Sequence, residues 1–267
     1  MNILEKIIAH KRKEVAEKQA THPIKLLENS IFFDSDPVSL KKYILREDKN
    51  GIIAEFKRQS PSKGIINEFG DVEKISIGYM QAGASAISIL TDSNFFGGSL
   101  ADFVIARKFN YCPILRKDFI INEYQIIEAK SIGADAILLI ASVLSQAEIK
   151  QLAHLAFSLG MEVLLEIHNE NELDKFDPTI KLIGINNRNL NTFEVNFDHA
   201  ISLSQLLPKD TIKIAESGIK NPKDIQLLRS YGFNGFLIGE QFMKHDSPDL
   251  ACKKFISQIN LENYVTT

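Results

Sequence analysis

The sequence predicts an α/β chain folded as one (β/α)8 barrel with an N-terminal helical extension. Three observations carry that prediction. Eight short apolar runs recur along the chain: Ile52–Phe56, Ala86–Leu90, Pro113–Leu115, Ala136–Ile140, Val163–Ile167, Leu182–Ile185, Ile212–Ala215 and Phe236–Ile238. They are rich in β-branched residues and lack clean polar alternation, the pattern of strands buried on both faces of a parallel sheet. Segments with helix start and stop signals lie between them. From Ala54 to Leu237 the repeat averages about 26 residues per unit, compact but workable for a TIM barrel. Polar residues after nearly every run favour closure over an open, doubly wound sheet.

Residues 1–50 fall outside this rhythm. Leu4, Ile7, Ile8 and Val15 predict an amphipathic helix with a basic face, read as solvated rather than as a nucleic-acid site. Leu26, Leu27, Ile31, Phe32 and Phe33 follow, and the segment is expected to pack on the barrel. Residues 51–245 form the barrel core and 246–267 a final helix, so the chain is expected to be a single domain. Asp71 and Asn122 are candidate caps for helices that stop at Gly83 and Gly133. Ser145 to Glu148 fits a capping box ahead of Ile149, Leu152, Ala153, Ala156 and Leu159, with a stop at Gly160. Asn221-Pro222 places a cap before a first-turn proline, and that helix stops near Gly232.

Composition removes several function classes. The chain has 267 residues, 45% hydrophobic and 24% charged, with a net charge of −3. A protein that binds nucleic acid through its backbone needs a basic surface, so no nucleic acid partner is expected. The charged start, with Glu5, Lys6, Lys11, Arg12 and Lys13, fits no secretory signal. Ala136–Leu144 is the strongest apolar stretch and falls far short of a membrane span. Cys112 and Cys252 lie far apart, as packing residues in a reducing cytoplasm would. No metal-binding or nucleotide-binding motif occurs, and no metal is expected.

Barrel enzymes carry their chemistry at the C-terminal ends of the strands. The first run ends in Glu55 and Lys57, two apart and therefore on one face: a functional pair, or an ion pair closing the mouth. Ser60 follows in the next loop. In the third run Lys117 shares a face with Leu115. A lysine among apolar side chains has a lowered pKa and suits an acid or a nucleophile; the alternative is an Arg116/Lys117 cluster that only neutralises carboxylates. Glu166 sits inside an apolar run, where it needs a partner or a raised pKa. His168 is set on the other face, as a strand-end or loop residue. Asn186 and Arg188 make an anion clamp or merely a turn. Glu216-Ser217-Gly218 and Gly239-Glu240 end the last two runs, where barrels often bind phosphate through backbone N–H groups. The mixed set reads as acid–base chemistry on a small phosphorylated metabolite.

These residues carry a signature. Ile53 to Ser62 (IAEFKRQSPS) closely resembles the signature of the indole-3-glycerol phosphate synthase family. The resemblance continues through Ala84–Asp92, Phe95–Ser99, Leu115–Phe119, Gly184–Leu190 and Ala215–Ile219, and covers about Gly51 to Met243. It implies a barrel enzyme without a cofactor that closes the ring of 1-(o-carboxyphenylamino)-1-deoxyribulose 5-phosphate, with loss of CO₂ and water. By resemblance Lys117 is the general acid and Glu166 the general base. Glu55 is a catalytic carboxylate that holds the lysines, and Lys57 and Ser60 lie near the substrate carboxylate. Asn186 and Arg188 bind the reacting portion. Glu216, Ser217, Gly218, Gly239 and Glu240 belong to the substrate-binding turns.

Some positions depart from the family pattern. Glu240 stands where some members have serine; facing phosphate it would repel, so its side chain is expected to turn away and leave the contact to backbone N–H groups. Ala82 replaces a frequent glycine, and Asn67 a position that is commonly basic or otherwise polar. Too few residues follow Met243 for the isomerase barrel fused to some members, and association with other tryptophan-pathway enzymes stays open. Two rivals remain: another sugar-phosphate isomerase or Schiff-base lyase using Lys117 as nucleophile, and a noncatalytic barrel that binds a phosphorylated ligand.

Overall fold

A computed structural model describes residues 2–188 and 194–265, without the side chains of 260–265. Asn189 and Leu190 of the sequence signature lie outside the described residues. Eight strands form the barrel: Ile52–Phe56 (β1), Ala86–Leu90 (β2), Ile114–Lys117 (β3), Ala136–Ile140 (β4), Glu162–Ile167 (β5), Leu182–Asn186 (β6), Ile212–Glu216 (β7) and Phe233–Ile238 (β8). All adjacent strands are parallel, and β8 pairs with β1, so the sheet is closed rather than doubly wound. Several strands run past their last apolar residue because pairing continues: Leu90 is opposite Lys117 and Asn186 opposite Glu216.

The period-2 geometry of a strand then assigns the faces. Ile53, Leu115, Leu138, Leu164, Ile214 and Leu237 fill the barrel interior. Ile52, Ala54, Phe56, Ile87 and Ile89 face the surrounding helices. Glu55, Lys117, Glu166, Asn186 and Glu216 continue the inward parity one step beyond the apolar layer. A charged layer therefore rests on an apolar core at the C-terminal end of the barrel.

The helices start where local chemistry placed them. Asp71 accepts from the Lys74 N–H ahead of helix Val72–Gln81, and Asn122 from the Tyr124 N–H ahead of Glu123–Ser131. Ser145 and Glu148 form a reciprocal capping box on Gln146–Ser158, and Asn221 with Asp224 forms another on Pro222–Ser230. Each box satisfies N–H groups that have no partner inside the helix. The last helix, Pro248–Val265, packs against Val72–Gln81. Among the described residues no helix is long and apolar enough to cross a membrane.

The N-terminal segment reaches both ends of the barrel. Helix Leu40–Ile44 puts Leu40 and Ile44 into the interior cluster at the N-terminal end. Around it Ser39 Oγ donates to Glu162 Oε1 at 2.6 Å and the Val38 N–H to Asp135 Oδ1 at 2.6 Å, both acceptors at strand starts. Helix Ile3–Thr21 lies at the opposite end, where the N-terminal turns of the helix help to wall the mouth.

One expectation for that helix is corrected. Its basic face is not wholly solvated: Lys11 is only 1% exposed. Its Nζ stands 2.9 Å from Asp92 and 2.9 Å from Asp118, and 2.7 Å from Glu14. Asp118 in turn accepts from Thr91 Oγ1 and pairs with the buried Arg116, which reaches Glu128. Ile7, Lys11 and Val15 are four apart, so Lys11 sits within the buried stripe rather than beside it.

Candidate active site

The inward charged layer floors a cavity of about 560 Å³ at the C-terminal end of the barrel, within the range of small-ligand sites. Lys117, Glu166, Glu55, Lys57, Asn186, Ser60, Arg188, Ser217, Gly218, Gly239 and Glu240 all line it. Six different strands or their following loops supply them. Glu216 does not line the cavity. It is fully buried behind Lys117, whose Nζ it holds at 2.8 Å.

The acidic and basic groups form two sets, one around Glu55 and Lys117 and one around Glu166. Glu55 bridges two lysines, with Lys57 Nζ 2.6 Å from Oε1 and Lys117 Nζ 3.5 Å from Oε2. Lys117 Nζ donates to Glu216 Oε2 at 2.8 Å, across the barrel from β3 to β7. Asn186 Nδ2 donates to Glu166 Oε1 at 2.9 Å. His168 Nε2 stands 3.1 Å from the same Oε1.

The lowered pKa expected of Lys117 reverses, and Glu166 has partners rather than a raised pKa. Burial works to lower the Lys117 pKa, but the charges of Glu216, Glu55 and Glu166 outweigh it and hold the ammonium well above its usual value. Burial works to raise that of Glu166, but His168, Lys117 and Asn186 bring the carboxyl down to about 2. The group that is raised is Glu216, to about 7, by burial and then by the charge of Glu166, which together exceed the pull of Lys117. The site thus holds a protonated lysine and an ionised carboxylate side by side.

Two glycines create the space this requires. A Cβ on Gly184 would overlap Glu216 Oε1, and one on Gly239 would overlap Glu55 Oε1. Gly184→Ala is expected to push Glu216 off Lys117, costing about 1–3 kcal/mol in overpacking and lowering turnover at least tenfold. A melting curve and a rate assay check it; wild-type values in both would show that Glu216 moves freely.

The mouth is ringed by cations and left-handed backbone. Ser217 has φ 67° and Gly218 φ 80°; Ser217 is the one non-glycine with positive φ among the described residues. That conformation is costly for serine and clusters at ligand sites. Arg188 Nη1 donates to Ser62 Oγ at 3.1 Å. The Glu240 carboxylate lies at the mouth with its side chain 37% exposed, 3.4 Å from Arg188 Nη2 and 3.6 Å from Lys63 Nζ. Two cations offset the repulsion that a carboxylate alone would exert there.

Residues overlooked in the sequence complete the walls. Phe96 and Phe119, with ring centroids 5.9 Å apart, and Leu138 and Ile140 form an apolar side. Lys220 and Lys244 add to the polar side. His168 faces the cavity; as it stands two residues after Glu166, parity alone marks it for the same face. Arg58 and Arg116 serve structure instead. Arg58 forms a two-pronged pair with Asp102, and Arg116 is buried against Asp118 and Glu128. Among the described residues no group of three or more His, Cys, Asp or Glu could hold a metal ion.

A sequence model of the family described as indole-3-glycerol phosphate synthase matches residues 4–255. The chain belongs to the indole-3-glycerol phosphate synthase family. It is 48% identical over 258 residues to the indole-3-glycerol phosphate synthase of Bacteroides thetaiotaomicron, covering 97% of this chain and 99% of that one. To the enzyme of the same name from Campylobacter fetus it is 42% identical, over 92% of this chain and 95% of that one. Solved structures show the fold alone. The tryptophan synthase α subunit of Legionella pneumophila aligns with a TM-score of 0.60 at 11% identity, over 83% of this chain and 97% of that one. A chain of the tryptophan synthase α2β2 complex of Pyrococcus furiosus aligns with 0.57 at 16%, over 79% and 98%. Members of the indole-3-glycerol phosphate synthase family and these subunits thus share the TIM barrel.

Proposed function

We propose that the chain is a cofactor-free carboxy-lyase, an indole-3-glycerol phosphate synthase of tryptophan biosynthesis. It converts 1-(o-carboxyphenylamino)-1-deoxyribulose 5-phosphate into indole-3-glycerol phosphate, CO₂ and water. The observation that carries this reading is the pairing, in one cavity, of a lysine held protonated with a carboxylate held ionised.

The roles follow from the chemistry of each wall. The turns at Ser217-Gly218 and Gly239 receive the phosphate, and Asn186 and Arg188 bind the reacting portion. The apolar side at Phe96, Phe119 and Leu138 takes the aromatic ring. Lys57 and Ser60 lie toward the substrate carboxylate. Lys117 gives a proton to the ketose oxygen as the ring carbon attacks the ketose carbon. Loss of CO₂ restores the aromatic ring; in the dehydration a cavity ammonium protonates the departing hydroxyl, which leaves as water, while Glu166 takes the proton from the neighbouring carbon. Glu55 and Glu216 keep Lys117 charged and aimed. An ammonium held protonated is a poor nucleophile, which speaks against the Schiff-base rival.

The reading places the enzyme in the cytoplasm, on a small phosphorylated substrate and without nucleic acid or membrane. Two buried free thiols, Cys112 and Cys252, suit a reducing compartment. Turnover can be followed as a rise in indole fluorescence, because the chain contains no Trp. Wild type is expected to form the indole product, and Glu166→Gln to lose about 10²-fold in kcat while still binding phosphate. Absence of product from folded, phosphate-binding wild type rejects the synthase reading. Unchanged function in Glu166→Gln points to a binding barrel.

A further inference from the structure

His168 follows β5 and is 90% buried by side chain, with one ring nitrogen toward each of two carboxylates. Nε2 is 3.1 Å from Glu166 Oε1 on the cavity side, and Nδ1 is 3.7 Å from Glu172 Oε2 behind. Glu172 is itself buried and fixed: Oε2 accepts the His168 backbone N–H at 2.7 Å, and Oε1 accepts from Asn169 Nδ2 at 2.9 Å. On the other side the His199 ring meets the His168 carbonyl oxygen at 2.8 Å, which pins the backbone. Neither ring nitrogen makes a hydrogen bond, so what these distances offer the buried ring is charge: a carboxylate near each nitrogen favours the form with a proton on both.

Charge in the cavity floor points the same way. Glu55, Glu166 and Glu216 face two ammonium groups, Lys57 and Lys117. An imidazolium at His168 adds a third cation, placed beside Glu166. It also determines which oxygen of Glu166 is used. Oε1 already receives Asn186 Nδ2 at 2.9 Å and lies beside His168, while Oε2 has neither partner.

We infer that His168, clamped between Glu166 and Glu172, is a positioning residue for the proposed reaction: it locks Glu166 Oε1 in place, keeps that carboxylate ionised, and leaves Oε2 to take the substrate's proton. The inference rests on the synthase reading for its chemistry, while the charge clamp stands on geometry alone. Burial works against the imidazolium, yet Glu166 and Glu172 lift His168 to about 10. Glu166, which faces Lys117, Asn186 and His168 and lies within reach of Glu216, is brought to about 2. Glu166 is lowered in the folded site, so it is ionised throughout the working range and loses its charge only as pH falls through that lowered value.

Two measurements test this. In the first, single-turnover rates, in which product release does not mask the chemistry, are taken from about pH 3 to 9, a range that reaches toward the lowered Glu166 value. His168→Gln keeps a hydrogen-bond donor and removes the charge. It is expected to move the acidic limb of the rate up by more than one pH unit, so that at the pH where the wild-type rate has fallen by half the variant's has fallen more than tenfold relative to its own plateau. Substrate KM should stay within about threefold of wild type. A profile superimposable on wild type, or a loss equal at every pH, overturns the inference. The second measurement reads the ring itself by ¹⁵N NMR and needs neither substrate nor a variant at His168. Both ring nitrogens should be protonated at pH 7.5 in wild type, and Glu166→Gln should move the titration back toward neutral pH. A neutral ring in wild type at that pH overturns the clamp even if turnover is normal. An inactive wild type with a charged ring rejects the synthase reading and leaves the clamp standing.

Discussion

Lys117→Ala is expected to lower kcat/KM by about 10³-fold or more while the barrel stays folded. General acid catalysis by a placed side chain contributes roughly 10²–10⁴-fold, and no other group in the cavity is so placed to supply that proton. Lys57, the nearest substitute, is engaged with Glu55 at 2.6 Å. Removal of one member of a buried pair normally costs several kcal/mol, because the other charge is stranded. Here the structure offers relief. Glu216, the partner at 2.8 Å, already titrates near 7 and can take up a proton in place of the ammonium. Glu216 should therefore rise further and take up roughly half a proton at neutral pH, against the one ammonium proton removed with the side chain. Lys117→Arg keeps the charge but replaces a compact ammonium by a planar fork on a different geometry, and should remain nearly inactive. Circular dichroism establishes the fold and the indole assay the rate. Near-wild-type turnover in folded Lys117→Ala would move the acid elsewhere, with Lys57 first in line. Borohydride trapping of a ketose phosphate on Lys117 would revive the lyase reading.

Lys11→Met is expected to cause the largest loss of stability. The substitution keeps the bulk in the buried stripe and removes the cation that faces Asp92 and Asp118. An uncompensated buried charge costs about 3–5 kcal/mol, which for a chain of this size corresponds to a melting temperature lower by roughly 10 °C. Adding Asp118→Asn should recover part of that loss, since the two positions share one network. The pH dependence has a definite sign. Burial pushes Asp118 up, but Lys11 and then Arg116 hold it well below the usual carboxylate range. Its contribution is therefore present above the unfolded value near 4 and is lost as pH falls through the folded value. Lys11 is raised despite burial, by Asp118, Asp92 and Glu14. Its contribution is present below the unfolded value near 10.4 and fades as pH rises through the folded one. Wild type and variant should differ most between about pH 5 and 10 and converge in acid. Equal melting temperatures at pH 7 would show that the buried contacts of Lys11 carry no net stabilisation.

Much of this protein was legible in one dimension. Strand identity follows from local β-branched runs, and helix starts from Asp71, Asn122, Ser145 and Asn221, whose capping partners lie two or three residues away. The position of Glu55, Lys57, Lys117, Glu166 and Asn186 at strand ends follows from period-2 parity and the rule that barrels work at that end. Parity applied to Glu166 and His168 would have added the histidine as well. The i, i+4, i+8 series Ile7, Lys11, Val15 would likewise have marked Lys11 as buried, since a lysine in the middle of an apolar stripe shares its fate.

The remaining features required the closed barrel, because they depend on atoms that are neighbours in space and remote in the chain. Lys117 meets Glu216 across 99 residues, and Arg188 meets Glu240 across 52. Closure set Glu216 behind Lys117. Proximity also decided the direction of each shifted pKa. Burial alone predicts a lowered lysine and a raised glutamate, and a residue's burial can be judged from its sequence neighbours. Coulomb energy in a poorly screened interior depends on distances of about 3 Å to charges on other strands. Those charges overturned the expectation at Lys117 and decided between the two alternatives at Glu166, and a sequence records which charges exist but not which of them meet.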